Sequence, residues 1–264
     1  MAENIRPSAV SGMFYPASPA RLRMDIQQYL DQATPSAISP LHALIVPHAG
    51  YIYSGPVAAY GYKLLQQRTA PERIYILGPS HRAWFTGAIM PDVDAFRTPL
   101  GDQPVDRAFI HKLAASDKAF SVSNAPHQSE HCLEVQYPFL QMICPEVPTV
   151  PILFGNLDPV AVGDIMDSVL SSDDFIIVSS DLSHYHHNEK AHTLDREFIN
   201  AVLSADFKGA AQGEACGQGP AMALMEIAVK REWQPHLLDY RTSGDIMGDR
   251  SQVVGYAAIA YDGG

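Results

Sequence analysis

The stretch LIVPHAGYIYSGPVAAYG (Leu44–Gly61) changes character halfway. An apolar run stops at Pro47, His48 follows, and a turn containing Gly and Tyr leads into residues with helical spacing. Leu41–Val46 reads as a strand. Gly55–Gln67 reads as a helix with Ser54 as its N-cap and Pro56 in the first turn. A second junction, RIYILGPSHRAWF (Arg73–Phe85), repeats the form: an apolar run over Arg73–Leu77, a Gly-Pro break, then His81. A third, DFIIVSSDLSHYHH (Asp174–His187), sets Asp181 and His184 just past a run that ends near Ser179.

The same alternation continues outward from these junctions. Helical spacing is predicted over 103–115, 130–143, 189–203 and 219–230, and over Asp158–Leu170 with Asp158 as cap and Pro159 first. Pro138 is expected to kink or end the second of these. Val147–Phe154 reads as a strand whose Pro148 and Pro151 suit its start or a sheet edge. His236–Tyr240 and Val253–Tyr261 read as the last strands. Apolar strands separated by helices predict a mostly parallel sheet covered on both faces. Ligands of such sheets bind outside the C-terminal ends of the strands. His48, His81 and His184 with Asp181 all fall there, so the reading is one convergent site.

The chain has 264 residues, 47% of them hydrophobic, with no low-complexity tract or linker, which predicts one domain over residues 1–264. A formal net charge of −11 argues against a nucleic-acid partner, because phosphate binding needs clustered Lys and Arg. The opening MAENIRPSAV lacks the pattern of a signal peptide, and no apolar stretch reaches the ~18 residues a membrane span needs. Three cysteines, an odd number, suggest free thiols in a reducing compartment. The expectation is a cytoplasmic protein with no membrane partner.

Several imidazoles at one mouth suit a bound metal, whether iron, copper or zinc. A non-heme iron oxygenase usually adds a carboxylate, and a zinc hydrolase is the sober alternative. Of the other histidines, His42, His111, His127 and His236 read as ordinary structural or exposed residues. His186, His187 and His192 belong to the loop and first turns after His184. Cys216, in GEACGQGPAMALM, precedes a predicted helix start where a thiolate is favoured; by spacing alone it reads as a small residue in a Gly-rich turn. Cys132 and Cys144 read as core thiols. Glu130 and Glu134 stand at i, i+4 with His131 adjacent, which fits either carboxylates that orient a ligand histidine or a solvated face. Tyr51, Tyr53 and Trp84 read either as walls of the site or as loop packing. No glycine pattern fits a phosphate-binding fingerprint.

At these residues the sequence resembles the MEMO family, whose bacterial and archaeal members carry the label AmmeMemoRadiSam system protein B. The resemblance rests on PHAGYIYSG (47–55), LGPSHR (77–82), FRTPLG (96–101) and EHCLEVQYPFL (130–140). It continues through SSDLSH (179–184), ACGQGP (215–220) and TSGD (242–245). It implies a fold similar to the LigB-type class III extradiol dioxygenases: a three-layer α/β/α domain around a mostly parallel or mixed sheet, with one metal ion at one end. It also implies His48, His81 and Cys216 as metal ligands and His184 as the acid–base residue; Asp181 is read as the neighbour that orients His184. The thiolate stands where the dioxygenases carry a carboxylate, and it suits iron (Fe2+) or copper ahead of zinc. The implied activity is dioxygenase-like redox chemistry on a small molecule. A binding or scaffold protein that reuses the pocket, or a zinc hydrolase, is the alternative. The label implies a radical-SAM protein as partner.

Overall fold

Apolar runs and caps place most of the elements in the computed structural model, which describes residues 4–263. A short strand β1 (Ile5–Arg6) precedes α1 (Pro19–Gln32), which Ser18 caps and Pro19 opens. This helix has no counterpart in the sequence reading, although Leu22, Ile26 and Leu30 mark its buried face at i, i+4 and i+8. Then come β2 (Leu41–Val46), α2 (Tyr51–Gln67) and β3 (Ile74–Pro79). Short strands β4 (Ala88–Met90), β5 (Ala95–Thr98) and β6 (Gly101–Pro104) lead to α3 (Arg107–Ser116) and β7 (Phe120–Val122). Single 3-10 turns at Ala125–His127 and Glu134–Gln136 precede α4 (Tyr137–Ile143). The chain continues through β8 (Thr149–Phe154), α5 (Pro159–Val169), β9 (Phe175–Ser179) and β10 (His184–His186). It then forms α6 (Asn188–Leu203), α7 (Phe207–Ala210), α8 (Gln218–Arg231), β11 (Trp233–Thr242), α9 (Ser243–Met247) and β12 (Val253–Gly263).

Three boundaries differ from expectation, each for a local reason. Helix α2 begins a turn early, and Pro56 lies inside it. The bond lost there is the one to the carbonyl of Ile52, a residue exposed enough for water to replace it. Ser54 does not cap; its hydroxyl donates back to the Ala49 carbonyl at 2.6 Å. The helix predicted from Gln103 starts at Arg107, because Asp106 caps it by accepting from the Phe109 amide at 2.9 Å. Gln103 itself is buried in β6 and donates to the Val147 carbonyl at 2.8 Å. The helix predicted from Glu130 begins only at Tyr137, with Pro138 in its first turn, where proline is tolerated.

The large sheet runs β10-β12-β2-β9-β3-β8-β4-β7, with β11 also paired to β12. Strands β2, β9, β3 and β8 are mutually parallel, and antiparallel neighbours flank them, so the sheet is mixed. A small sheet β1-β5-β6 lies apart. Helices α1 and α2 pack together on one face, with α2 against β2. On the other, α8 lies over β3 and β9 and carries α5. These three layers bury β8 and β9 at every position. Close approach of α2 requires Gly61, where a Cβ would stand 3.0 Å from Val46 and 3.1 Å from Leu44. Helix α2 carries the chain from β2 to β3 while β9 fills the gap between them. Register matches Val46 with Ser179 and Leu77 with Val178, so the three strands end side by side.

The N-terminal arm is pinned beside these ends by a buried charge. Arg6 pairs with Glu134, their side chains 3% and 0% exposed. Glu134 also accepts from the Ala9 amide at 2.7 Å, the Val10 amide at 3.0 Å and the Tyr15 hydroxyl at 2.5 Å. Glu134 is therefore neither a solvated residue nor a partner of a site histidine. Removing one member of a buried pair leaves the other uncompensated. We expect Arg6→Ala to lower the unfolding free energy by roughly 3 kcal/mol, read as a shifted urea midpoint at unchanged slope.

Candidate metal centre

Three of the four parallel strands in the middle of the sheet each deliver one part of the site. His48 lies two residues past β2, His81 two past β3, and Asp181 two past β9. His48 is buried, and its Nδ1 lies 3.0 Å from Ser179 Oγ. The Ser179 hydroxyl donates its one proton to the Cys132 carbonyl at 2.7 Å and accepts from Gln136 Nε2 at 2.7 Å. It can only accept from His48, so Nδ1 carries the proton and Nε2 is a bare lone pair. Burial and the neighbouring imidazole of His81 push the His48 pKa well down, which keeps that lone pair free.

His81 repeats the arrangement with a stronger acceptor. Its Nδ1 meets Glu130 Oε1 at 2.9 Å, and its amide donates to Oε2 at 2.6 Å. A carboxylate only accepts, so this imidazole too is protonated on Nδ1. Glu130 is buried and takes the amides of His131 and Cys132 as well, at 2.9 and 3.1 Å. Those bonds tie the 130–132 turn to the loop after β3. Of the two readings left open for Glu130, the geometry matches the carboxylate that orients a histidine.

Spacing alone gives His131 no role, and here it joins the other two. Ligand atoms of His48, His81 and His131 lie within 4.8 Å of one another. Their rings stack edge-on or tilted, with centroids 4.7 to 5.5 Å apart. His131 Nδ1 is buried and lies 3.1 Å from Glu130 Oε1, but out of line for a hydrogen bond. The only sequence signal was its place beside Glu130.

Cys216 reaches the cluster through His48. Its Sγ stands 3.4 Å from His48 Nε2 and 3.2 Å from the Asp181 amide nitrogen. Burial pushes the thiol pKa well up, with the Asp181 charge adding to the effect. The Cys216 loop is laced to the end of β9: the Cys216 amide donates to the Asp181 carbonyl at 3.2 Å and the Gly217 amide to Ser180 Oγ at 3.0 Å. Asp181 spends Oδ1 on the His48 amide at 2.8 Å, so by hydrogen bonding it anchors the His48 loop rather than orienting His184. His184 opens β10, half-buried, near enough for its charge to bear on His48 and Asp181.

The remaining candidates disperse. Tyr51 is buried and donates to the Val135 carbonyl at 2.7 Å, which is packing and not a wall. Tyr53 is half-buried, and Trp84 is 87% exposed. His186 pairs with Glu214 at 2.6 Å, and His192 lies 3.5 Å from Asp245. Buried His127 meets the Ile89 carbonyl at 3.1 Å, while His42 stacks on Trp233. Cys132 and Cys144 are buried. Among the described residues, no helix is long and apolar enough to cross a membrane.

A three-layer α/β/α sheet with clustered imidazoles at its parallel strand ends defines an α/β protein with a candidate metal centre. Comparison with known proteins narrows the class. A sequence profile described as "Memo-like protein" matches residues 6–260, and the chain belongs to that family. It is 33% identical over 281 residues to a "MEMO1 family protein" of Sulfurisphaera tokodaii, covering 97% of this chain and 99% of the relative. A "MEMO1 family protein" of Archaeoglobus fulgidus is 34% identical over 276 residues, again covering 97% and 99%. The crystal structure of an uncharacterized protein, JW3007, from Escherichia coli K12 superposes with a TM-score of 0.54 at 11% identity. It covers 83% of this chain and 99% of that one, a likeness of fold.

Gly217 makes the lacing possible, since a Cβ there would collide with Ser180 and come within 2.9 Å of the Ser179 carbonyl. We expect Gly217→Ala to cost about 1–3 kcal/mol in urea unfolding. It should also speed alkylation of Cys216 by displacing its loop; wild-type stability and thiol reactivity would count against the close packing described.

Proposed function

We propose that this chain is a metal-binding redox protein. It holds one iron (Fe2+) or copper ion through His48 and His81, with Cys216 as the third donor. The observation that carries the reading is the pair of locked tautomers. Two imidazoles, each fixed with Nδ1–H toward a buried acceptor, hold bare Nε2 atoms at the sheet end. Neutral imidazoles with an oriented second nitrogen are what metal sites use. The separation of Cys216 Sγ from His48 Nε2, 3.4 Å, suits two donors on one ion. A thiolate beside imidazoles favours copper, iron or zinc over hard cations.

A bound redox-active ion would supply one-electron chemistry and an open position for a small molecule. The residues around it divide the remaining work. His184, half-buried at the mouth, gives or takes a proton from the substrate. Asp181 holds the His48 loop, and Ser179 and Glu130 hold the two rings. The substrate enters over the strand ends. His131 favours a variant of this reading in which it, and not Cys216, completes the donor set, because the three imidazoles form the tighter group.

Anaerobic titration with Fe(II) or Cu(I) against a competing chelator tests both forms. One ion per chain is expected, and His48→Ala should abolish tight binding. Cys216→Ser should weaken binding by more than the roughly 100-fold that loss of an outer partner costs. Unchanged affinity in Cys216→Ser with loss in His131→Ala moves the third donor to His131. Failure of the wild-type protein to bind either ion below a large excess ends the proposal, and tight zinc as isolated with hydrolysis lacking any oxygen requirement replaces it.

A further inference from the structure

We infer that Glu130 is a positioning residue: its buried carboxylate fixes the tautomer of His81 and the backbone that carries His131 and Cys132. The inference deepens the metal-binding reading and rests on it for the consequence to ion affinity, while the tautomer itself can be measured without an ion.

The geometry is specific. Glu130 Oε1 accepts from His81 Nδ1 at 2.9 Å, the His131 amide at 2.9 Å and the Cys132 amide at 3.1 Å. Oε2 accepts from the His81 amide at 2.6 Å. Every partner is a donor, and they come from two segments about fifty residues apart, so this side chain, 1% exposed, joins the β3 loop to the 130–132 turn. Both oxygens must accept. A glutamine of the same shape turns an NH2 toward either the His81 amide or the Oε1 donors, and one side of the hub is lost. With Nδ1 no longer facing a pure acceptor, the imidazole can move its proton to Nε2, the nitrogen that faces the cluster. His131 is held differently, through its amide, because its Nδ1 finds no partner in line. Its ring is held instead by packing against Phe14, His48 and His81.

Glu134 supplies the comparison. It too is a buried carboxylate that binds several donors, but those donors are Arg6, Tyr15 and the amides of the N-terminal arm, with no imidazole among them. A purely structural role for Glu130 predicts that the two glutamine variants behave alike.

The test uses the full chain with 15N-labelled histidine, free of metal, and long-range 1H–15N correlation of the ring nitrogens. A Co(II) titration against a chelator is run in parallel. In wild type, His81 should show a single Nδ1–H form. Glu130→Gln should give a mixed or Nε2–H form and weaken Co(II) binding about 10–100-fold. Glu134→Gln should lower the unfolding midpoint yet keep both the tautomer and the affinity. Wild-type tautomer and affinity in Glu130→Gln overturn the inference. So does an Nε2–H form of His81 in the wild-type protein, which needs no variant to fold. If wild type binds none of Co(II), Fe(II) and Cu(I) but the His81 tautomer still responds to Glu130→Gln, the metal reading falls and the positioning role stands.

Discussion

A single hydroxyl proton organises the end of the sheet. Ser179 closes β9, and its Oγ has one proton to give and room for two donors. The proton goes to the Cys132 carbonyl, and the acceptor positions go to Gln136 and His48. Three segments that are distant in sequence meet on that atom: the β2 loop, the end of β9 and the 130–136 turn. Gln136 extends the network, donating also to the Pro47 carbonyl at 3.1 Å and accepting from the Tyr62 hydroxyl at 2.8 Å. Each buried polar group left unpaired would cost about 1–3 kcal/mol. The network therefore stands or falls as a set, and with it the direction in which His48 points.

This explains why 130–136 departs from the helix its spacing suggests. Buried carboxylates at i and i+4 look like one helical face, yet they serve different structures. Glu130 turns back to accept the amides of residues 131 and 132 while it also holds the His81 ring and amide. Glu134 reaches away to Arg6 and the arm. Helical geometry resumes once these demands are met, at the Pro138 turn. The local pattern was real, but burial and partners outside the window decided its use.

The legible parts of the chain were those whose cause is local. Asp158 and Pro159 announce α5 because cap and first-turn proline act within four residues, and the structure has both. The apolar runs of β2, β3, β8 and β9 announce buried strands, and His48, His81 and Asp181 follow from their ends. What the spacing left open is tertiary. His131 needed the turn at Glu130 to face the cluster. Cys216 reads as a small residue in a Gly-rich turn until the lacing to Ser180 and Asp181 brings its sulfur to His48. Nearness in sequence points Asp181 toward His184, whereas its best donor is an amide 133 residues away. The short strands β4 to β7 are too brief for periodicity to mark.

Two buried carboxylates back the two histidines, and their environments pull in opposite directions. Burial alone would raise the pKa of Glu130, but the His81 imidazole and the His81 amide hold it far below the usual carboxylate range. Burial also raises that of Asp181, and there it prevails over the His48 amide. A firm anion thus sits against the Nδ1–H of His81, while His48 has only a neutral hydroxyl at Nδ1. A hydrogen bond to a carboxylate makes the far nitrogen of an imidazole more basic than one to a hydroxyl does. The two rings are therefore held differently: His81 faces a buried carboxylate and is the more exposed, whereas His48 faces a neutral hydroxyl, fully enclosed and adjacent to the thiol.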